Sequence, residues 1–261
     1  MKLVTIASGS SGNCIYIGSE NRNFIIDAGI SLRRIENGLA GLGLGVGDLD
    51  GIFITHEHAD HISGLGVLLR KYPLPVYLSE GTYQAVTEGR MLGSVPSEVF
   101  RPFRTGAVFG FGDVSVRTIS VMHDAADPVV YRFESGGSAC AVVTDLGSYD
   151  DALTDWLQGL SAIVIEANHD LRMLQTGPYP YPLKRRISGE SGHLSNEAAG
   201  RLLSSIMCPS LGAVVLGHLS KINNYPELAW QAVHMELAFL EENGVRLIVA
   251  PPAENSETVE F

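Results

Sequence analysis

The chain has 261 residues, 45% of them hydrophobic, and a formal net charge of −11. That hydrophobic share excludes a disordered chain, and no apolar run reaches the ~20 residues that cross a bilayer. The acidic balance excludes a protein that coats nucleic acid along its length, so any such contact must be local and metal-assisted. The apolar run of the opening "MKLVTIASGSSGN" is too short for a secretory signal, and a cytoplasmic location is the expectation. Cys14, Cys140 and Cys208 are odd in number and far apart, with no CxxC pair. They read as small packing residues rather than disulfide or zinc ligands.

In chain order, "KLVTIA", "NCIYIG" and "NFIID" are β-branched and apolar and predict three short strands. The turn "SENRN" at 19–23 makes the last two a hairpin. "SLRRIENGLAGLG" predicts a helix, "DGIFIT" a buried strand, "HISGLGVLLRKY" a helix and "LPVYLS" a strand. Residues 106–145 read as mostly β, through "DVSVRTISVM", "VVYRFES" and "SACAVVTD". The second half alternates: "DALTDWLQGL" helical, "SAIVIEA" strand, "SNEAAGRLLSSIM" helix capped by Ser195, "LGAVVLG" strand. "PELAWQAVHMELAFLEEN" is the longest predicted helix, "VRLIVAP" a last strand and "AENSETVEF" an edge or frayed end. Residues 172–190, "RMLQTGPYPYPLKRRISGE", read as one long irregular segment. Strand-rich and strand–helix portions occur in both halves, with no linker between them. This predicts an α/β (α+β) fold of two sheets face to face with helices outside, in a single domain over 1–261.

The chemistry centres on "THEHADH" at 55–61, between a strand and a helix. His56 and His58 are two apart and can face one side of an extended segment. Asp60 and His61 follow at the helix entrance. Imidazole and carboxylate together suit zinc, manganese or iron, and four donors in so tight a loop suit two adjacent metals. His123, Asp145 and His218 each follow a buried strand, where sheet rims carry sites.

These residues, in the order FIID, HxHxDH, H, D, H, resemble the metallo-β-lactamase superfamily over nearly the whole chain. The resemblance implies a four-layer αββα sandwich with two mixed sheets and a site for two divalent metal ions, Zn or Mn, with Fe also compatible. By position it implies that His56, His58 and His123 bind one metal, that Asp60, His61 and His218 bind the other, and that Asp145 bridges them. Asp27 in "FIIDAG" would orient the HxHxDH loop. The finer text "IASGSSGN", "HDAADP", "EANHD", "SGHLSNEAA" and "HLSKINNYPELA" is similar to the WalJ/YycJ group, associated with 5′→3′ exonuclease activity on DNA. One departure is Ile222, where that group usually carries glutamate.

Two divalent ions clamping a phosphodiester need no Ser, Cys or Lys nucleophile, but the leaving oxygen needs a proton. Asp60 could take a hydrogen bond from the nucleophile. By similarity to ribonuclease Z relatives, His193 falls in the place of the histidine that assists the leaving group, backed by Glu166. "GHLS" occurs at both 192–195 and 217–220, yet only the second follows a buried strand. This separates His193, open to substrate, from His218, a ligand. Weaker candidate substrate contacts are Ser8, Ser10, Ser11 and Asn13 in a Ser/Gly turn, His169, the basic run Lys184, Arg185 and Arg186, and Lys221. The expected function is a dinuclear phosphodiesterase, foremost a 5′→3′ exonuclease on 5′-phosphorylated DNA, with RNA also compatible. The alternatives are a glyoxalase II-like hydrolase of thioesters or lactones, ribonuclease Z-like RNA processing, and a non-catalytic metal module. The His193–Glu166 pair and the basic run favour a nuclease. The lack of an inserted Gly/Pro-rich arm argues against the ribonuclease Z reading.

Overall fold

The computed structural model describes residues 1–238 and 244–261. The chain gathers into two compact units. The first comprises residues 1–120, 125–131 and 251–260. The second comprises 121–124, 132–250 and 261.

The first unit opens with strands β1 (Lys2–Ala7), β2 (Cys14–Gly18) and β3 (Asn23–Ile26). Helix α1 (Leu32–Ala40) and strand β4 (Gly51–Phe53) follow, then helices α2 (Ala59–Ile62) and α3 (Leu65–Lys71), strand β5 (Val76–Ser79) and helix α4 (Glu80–Glu88). Strands β6 (Phe100–Phe103), β7 (Val108–Phe111) and β8 (Val114–Ser120) complete that stretch. Strand β9 (Val129–Ser135) runs on to β10 (Ser138–Val143), helix α5 (Asp151–Trp156) and strand β11 (Ala162–Glu166). Helices α6 (Leu171–Thr176), α7 (Tyr181–Ile187) and α8 (Asn196–Ile206) come next, then β12 (Ala213–Gly217), α9 (Pro226–Leu237), β13 (Arg246–Val249) and β14 (Val259–Glu260). One seven-stranded sheet has the order β14-β1-β2-β3-β4-β5-β6, the other β13-β12-β11-β10-β9-β8-β7.

Both sheets are mixed. In the first, β14, β1, β2 and β3 pair antiparallel, and β3 to β6 pair parallel. Its central strands β2, β3, β4 and β5 are mostly apolar and buried, as strands covered on both faces require. Val4, Ile6, Tyr16, Ile25, Ile52, Val76 and Leu78 pack with Ile35 and Leu39 of α1 and Leu65, Leu68 and Leu69 of α3. The alternate residues Phe24, Phe53 and Tyr77 meet Phe109 and Phe111 of β7 edge to face. Tyr131 joins this aromatic cluster, and its hydroxyl donates to the Ile54 carbonyl at 2.6 Å. In the other sheet β10, β11, β12 and β13 are all parallel, with Glu166 opposite Gly217. Parallel strands place all their carboxyl ends on one rim, where ligand sites of such sheets lie.

Three expectations change. "HISGLGVLLRKY" is two helices, broken where Gly64 N–H donates to the Ala28 carbonyl instead of continuing a helix. The stretch 172–190 is largely helical: 172–176 belong to α6, capped by the Asp170 side chain, and 181–187 to α7, which follows Pro180. Helix α4 and strand β6 lay outside the predicted elements, while β7 falls in the stretch read as mostly β. Ser195 does cap α8, accepting from Ala198 N–H at 3.2 Å. The last part of the longest predicted helix, residues 239–243, lies outside the described residues. The terminal stretch is an edge strand, β14 on β1.

Candidate functional site

In the first unit the chain leaves β4, passes through residues 54–58 outside regular structure and enters α2. Asp27, fully buried straight after β3, organises this loop. Its carboxylate accepts Thr55 N–H at 2.9 Å, the Thr55 hydroxyl at 2.9 Å and His61 Nδ1–H at 2.7 Å. Thr55 Oγ1 also lies 3.0 Å from His56 Nδ1. The His56 ring sits 4.6 Å from that of His58 and 4.1 Å from that of His61. Asp60 Oδ2 is 3.6 Å from His61 Nε2. Three imidazoles and a carboxylate therefore converge, with Asp27 taking the Nδ1–H of His61 and so making its Nε2 the acceptor, 3.2 Å from Asn13 Nδ2.

Backbone bonds lock this loop to the turn before β2. Asn13 N–H donates to the Asp60 carbonyl at 2.8 Å, Gly29 N–H to the Asn13 carbonyl at 2.9 Å, and Ala28 N–H to the His61 carbonyl at 2.8 Å. A Cβ on Gly29 would stand 1.7 Å from the Asp60 carbonyl oxygen, so the close approach requires glycine here. Gly29→Ala is expected to displace the Asp60–His61 turn. It should lower the thermal midpoint by several degrees and weaken metal binding, read by melting with and without added Zn²⁺.

In the second unit Asp145, Glu166 and His218 stand at the carboxyl ends of the adjacent parallel strands β10, β11 and β12. Asp27, Asp145 and His218 are three of the four non-glycine residues with positive φ among the described residues, at 61°, 59° and 53°. Left-handed backbone at three strand ends costs energy that the surrounding bonds must offset, and such strain gathers at functional sites.

Glu166 is fully buried and fully used. Its Oε1 accepts Leu146 N–H at 2.9 Å and Leu194 N–H at 3.0 Å, and its Oε2 lies 3.1 Å from His193 Nδ1 and 3.2 Å from His218 Nδ1. Asp145 Oδ1 is 3.4 Å from both Nδ1 atoms and 3.8 Å from His123 Nε2. His123 Nδ1 is 3.0 Å from the Gly192 carbonyl. Ligand atoms of Asp145, Glu166, His193 and His218 all lie within 4.8 Å of one another.

Burial would push the Glu166 carboxyl up, but the His193 charge and the hydrogen bonds from His193 and His218 outweigh it and hold it low. Burial also opposes the charge on His193, and Glu166 beside it, with Asp145, raises its pKa above the usual imidazole value. His123 is lowered by burial, with Asp145 opposing. The donor set fits divalent cations. The Nδ1 atoms of His61, His123 and His218 face Asp27, the Gly192 carbonyl and Glu166, the arrangement that ligating imidazoles adopt.

Other candidates are placed as follows. Asn13 is fully buried, with Oδ1 accepting Gly9 N–H at 2.9 Å and Nδ2 3.3 Å from the Asp60 carbonyl, so its side chain serves the loop. Ser8 is buried, while Ser10 and Ser11 are exposed on the turn. His169 is buried with no hydrogen-bond partner for either ring nitrogen among the described residues, and burial pulls its pKa down to about 4. Lys184 and Arg186 pair with the Gln175 carbonyl and Asp124, and Arg185 and Lys221 are exposed. Ile222 is exposed too. Sequence reading missed Thr55, the bond from Glu166 to His218, and Asn168. The Asn168 Nδ2 donates to the His218 carbonyl at 3.0 Å, and its own carbonyl accepts Ser220 N–H at 2.8 Å. The only signal for Asn168 was an amide two residues after a strand that ends in a buried carboxylate.

The family model described as a β-lactamase superfamily domain matches residues 22–218. The chain is 40% identical to exodeoxyribonuclease YycJ of Bacillus anthracis, over 92% of this chain and 89% of that protein. It is 39% identical to exodeoxyribonuclease WalJ of Streptococcus pneumoniae, over 91% of this chain and 88% of that one. In fold it is similar to Zn²⁺-bound PqqB from Methylobacterium extorquens, with a TM-score of 0.74, 17% identity and full coverage of both chains. The architecture is thus an α/β sandwich of two mixed sheets flanked by helices. The chain belongs to the metallo-β-lactamase superfamily of metal-dependent hydrolases.

Proposed function

We propose that this chain is a cytoplasmic exodeoxyribonuclease that removes nucleotides 5′→3′ from 5′-phosphorylated DNA, in one domain that holds two divalent ions, Zn²⁺ or Mn²⁺. The observation that carries the reading is the His193–Glu166 pair, 3.1 Å apart, beside the Asp145 and His218 donors. A thioester hydrolase has no use for that pair. The names of the relatives at about 40% identity support the substrate, and the match of the family model across residues 22–218 supports a single domain.

By family position His56, His58 and His123 would hold one ion, Asp60, His61 and His218 the other, with Asp145 shared. When bound, such a pair of ions supplies a water activated near neutral pH and neutralises the charge building on a phosphodiester. Asp60 accepts a hydrogen bond from the attacking water. His193, kept protonated by Glu166, donates its Nε2 proton to the departing oxygen. Glu166 fixes the orientation of that ring through Nδ1.

The test compares duplex DNA bearing 5′-phosphate or 5′-hydroxyl, RNA of the same sequence, and S-lactoylglutathione, each with Mn²⁺ or Zn²⁺. The expected result is fastest release from 5′-phosphorylated DNA. Equal rates on both DNA ends would remove the end preference. Thioester hydrolysis without nucleotide release would overturn the nuclease.

A further inference from the structure

Helix α7 has no buried residue, and it carries Lys184, Arg185 and Arg186 in a chain with a net charge of −11. Tyr181 and Arg185 are one helical turn apart, so they share a face, with Lys184 beside them. Tyr181 is 72% exposed. Arg185 has no side-chain ion pair or hydrogen bond among the described residues, and Arg172 on α6 is in the same position. A surface tyrosine with cations around it in an acidic protein is complementary to one class of ligand, a stacked base on a phosphate backbone.

The base of this helix is tied to the site. Arg186 pairs with Asp124, next to His123. The Ile187 carbonyl accepts His193 N–H at 2.8 Å, and the Gly192 carbonyl faces His123 Nδ1 at 3.0 Å. A Cβ on Gly147, two residues after Asp145, would stand 2.3 Å from the Gly189 carbonyl oxygen, so the turn after α7 is wedged against the Asp145 loop. Lys184 Nζ donates to the Gln175 carbonyl and joins α7 to α6.

We propose that the exposed face of α6 and α7 is a strand-gripping platform for the DNA substrate, with Tyr181 stacking on a base and Arg185 and Arg172 meeting phosphates. This rests on the nuclease reading above. Ile187 lies six positions after Tyr181, about 9 Å of helix at ~1.5 Å per residue. That span covers roughly two to three nucleotide steps at ~3.4 Å each. The platform therefore acts on nucleotides beyond the one being cleaved. It should govern KM for long substrates and leave a minimal phosphodiester unaffected.

The experiment compares the parent protein with Tyr181→Ala, Tyr181→Phe and the pair Arg172→Gln/Arg185→Gln. Two readouts are taken: binding of a labelled single-stranded oligonucleotide to metal-free protein by anisotropy, and Mn²⁺-dependent turnover of a long oligonucleotide and of bis(p-nitrophenyl) phosphate. Tyr181→Ala should weaken binding and raise KM for the long substrate about ten-fold, with Tyr181→Phe restoring both. The arginine pair should also flatten the salt dependence of binding, its logarithmic slope falling by about one for each phosphate the protein no longer neutralises. Hydrolysis of the small diester should stay unchanged in every variant. If the parent degrades DNA and the variants match it in binding and KM, the platform is wrong and the nuclease reading stands. If the parent neither binds nor degrades DNA, both fall.

Discussion

His58→Ala is expected to abolish nucleotide release while leaving the fold in place. The side chain is only half-buried, and Asp27, Thr55 and Asn13 supply hydrogen bonds that hold the loop. Its ring stands 4.6 Å from that of His56, and in the proposed site deleting it would remove one donor of three for one ion. Metal assistance to hydrolysis is a matter of several kcal/mol, so the rate should fall by about 10³-fold or more. Far-UV circular dichroism should be unchanged and bound metal per chain should drop. Retained activity with a full complement of metal would remove His58 from the ligand set.

The second large effect separates the acid from the ligands. His193→Ala should keep its metal and lose about 10²–10⁴-fold in turnover, the usual contribution of a positioned acid. Glu166→Gln should behave differently, because the carboxylate serves both His193 and His218 through one oxygen. Glutamine could still accept from Leu146 and Leu194, but its amide N–H₂ would then face two Nδ1 atoms that need an acceptor. The His218 tautomer would be lost along with that of His193. Metal affinity should therefore fall about 10–100-fold in this variant, in addition to the loss of turnover. Metal titration of the two variants side by side checks this. If His193→Ala loses metal and Glu166→Gln does not, the division of roles is reversed.

The sequence marked donors in one short segment and at strand ends, and the structure draws the rings of His56, His58 and His61 together and places Asp145 and His218 where buried strands stop. The positive φ at Asp27, Asp145 and His218 was beyond reach, because nothing in the letters marks an aspartate or histidine as left-handed. The sharing of Glu166 depends on register, with Glu166 opposite Gly217 on the neighbouring strand, and single-strand patterns do not encode register. Residues 172–190 read as loop because Gly177, Pro178, Pro180 and Pro182 interrupt every helical period. The structure uses the same residues as punctuation, with Gly177 ending α6 and Pro180 starting α7. Asn13 read as a phosphate contact from its Ser/Gly surroundings, yet its amide faces inward to the Asp60 carbonyl. Short polar side chains look the same in a sequence whether they meet ligand or backbone.

The most direct measurement follows DNA labelled at one end or the other, digested by protein reconstituted with Mn²⁺ or Zn²⁺ and assayed for metal. With two ions per chain, a 5′ label should leave at once as a mononucleotide, while a 3′ label should remain on a steadily shortening strand. Release of the 3′ label first, or no release by protein that carries both ions, would contradict the account.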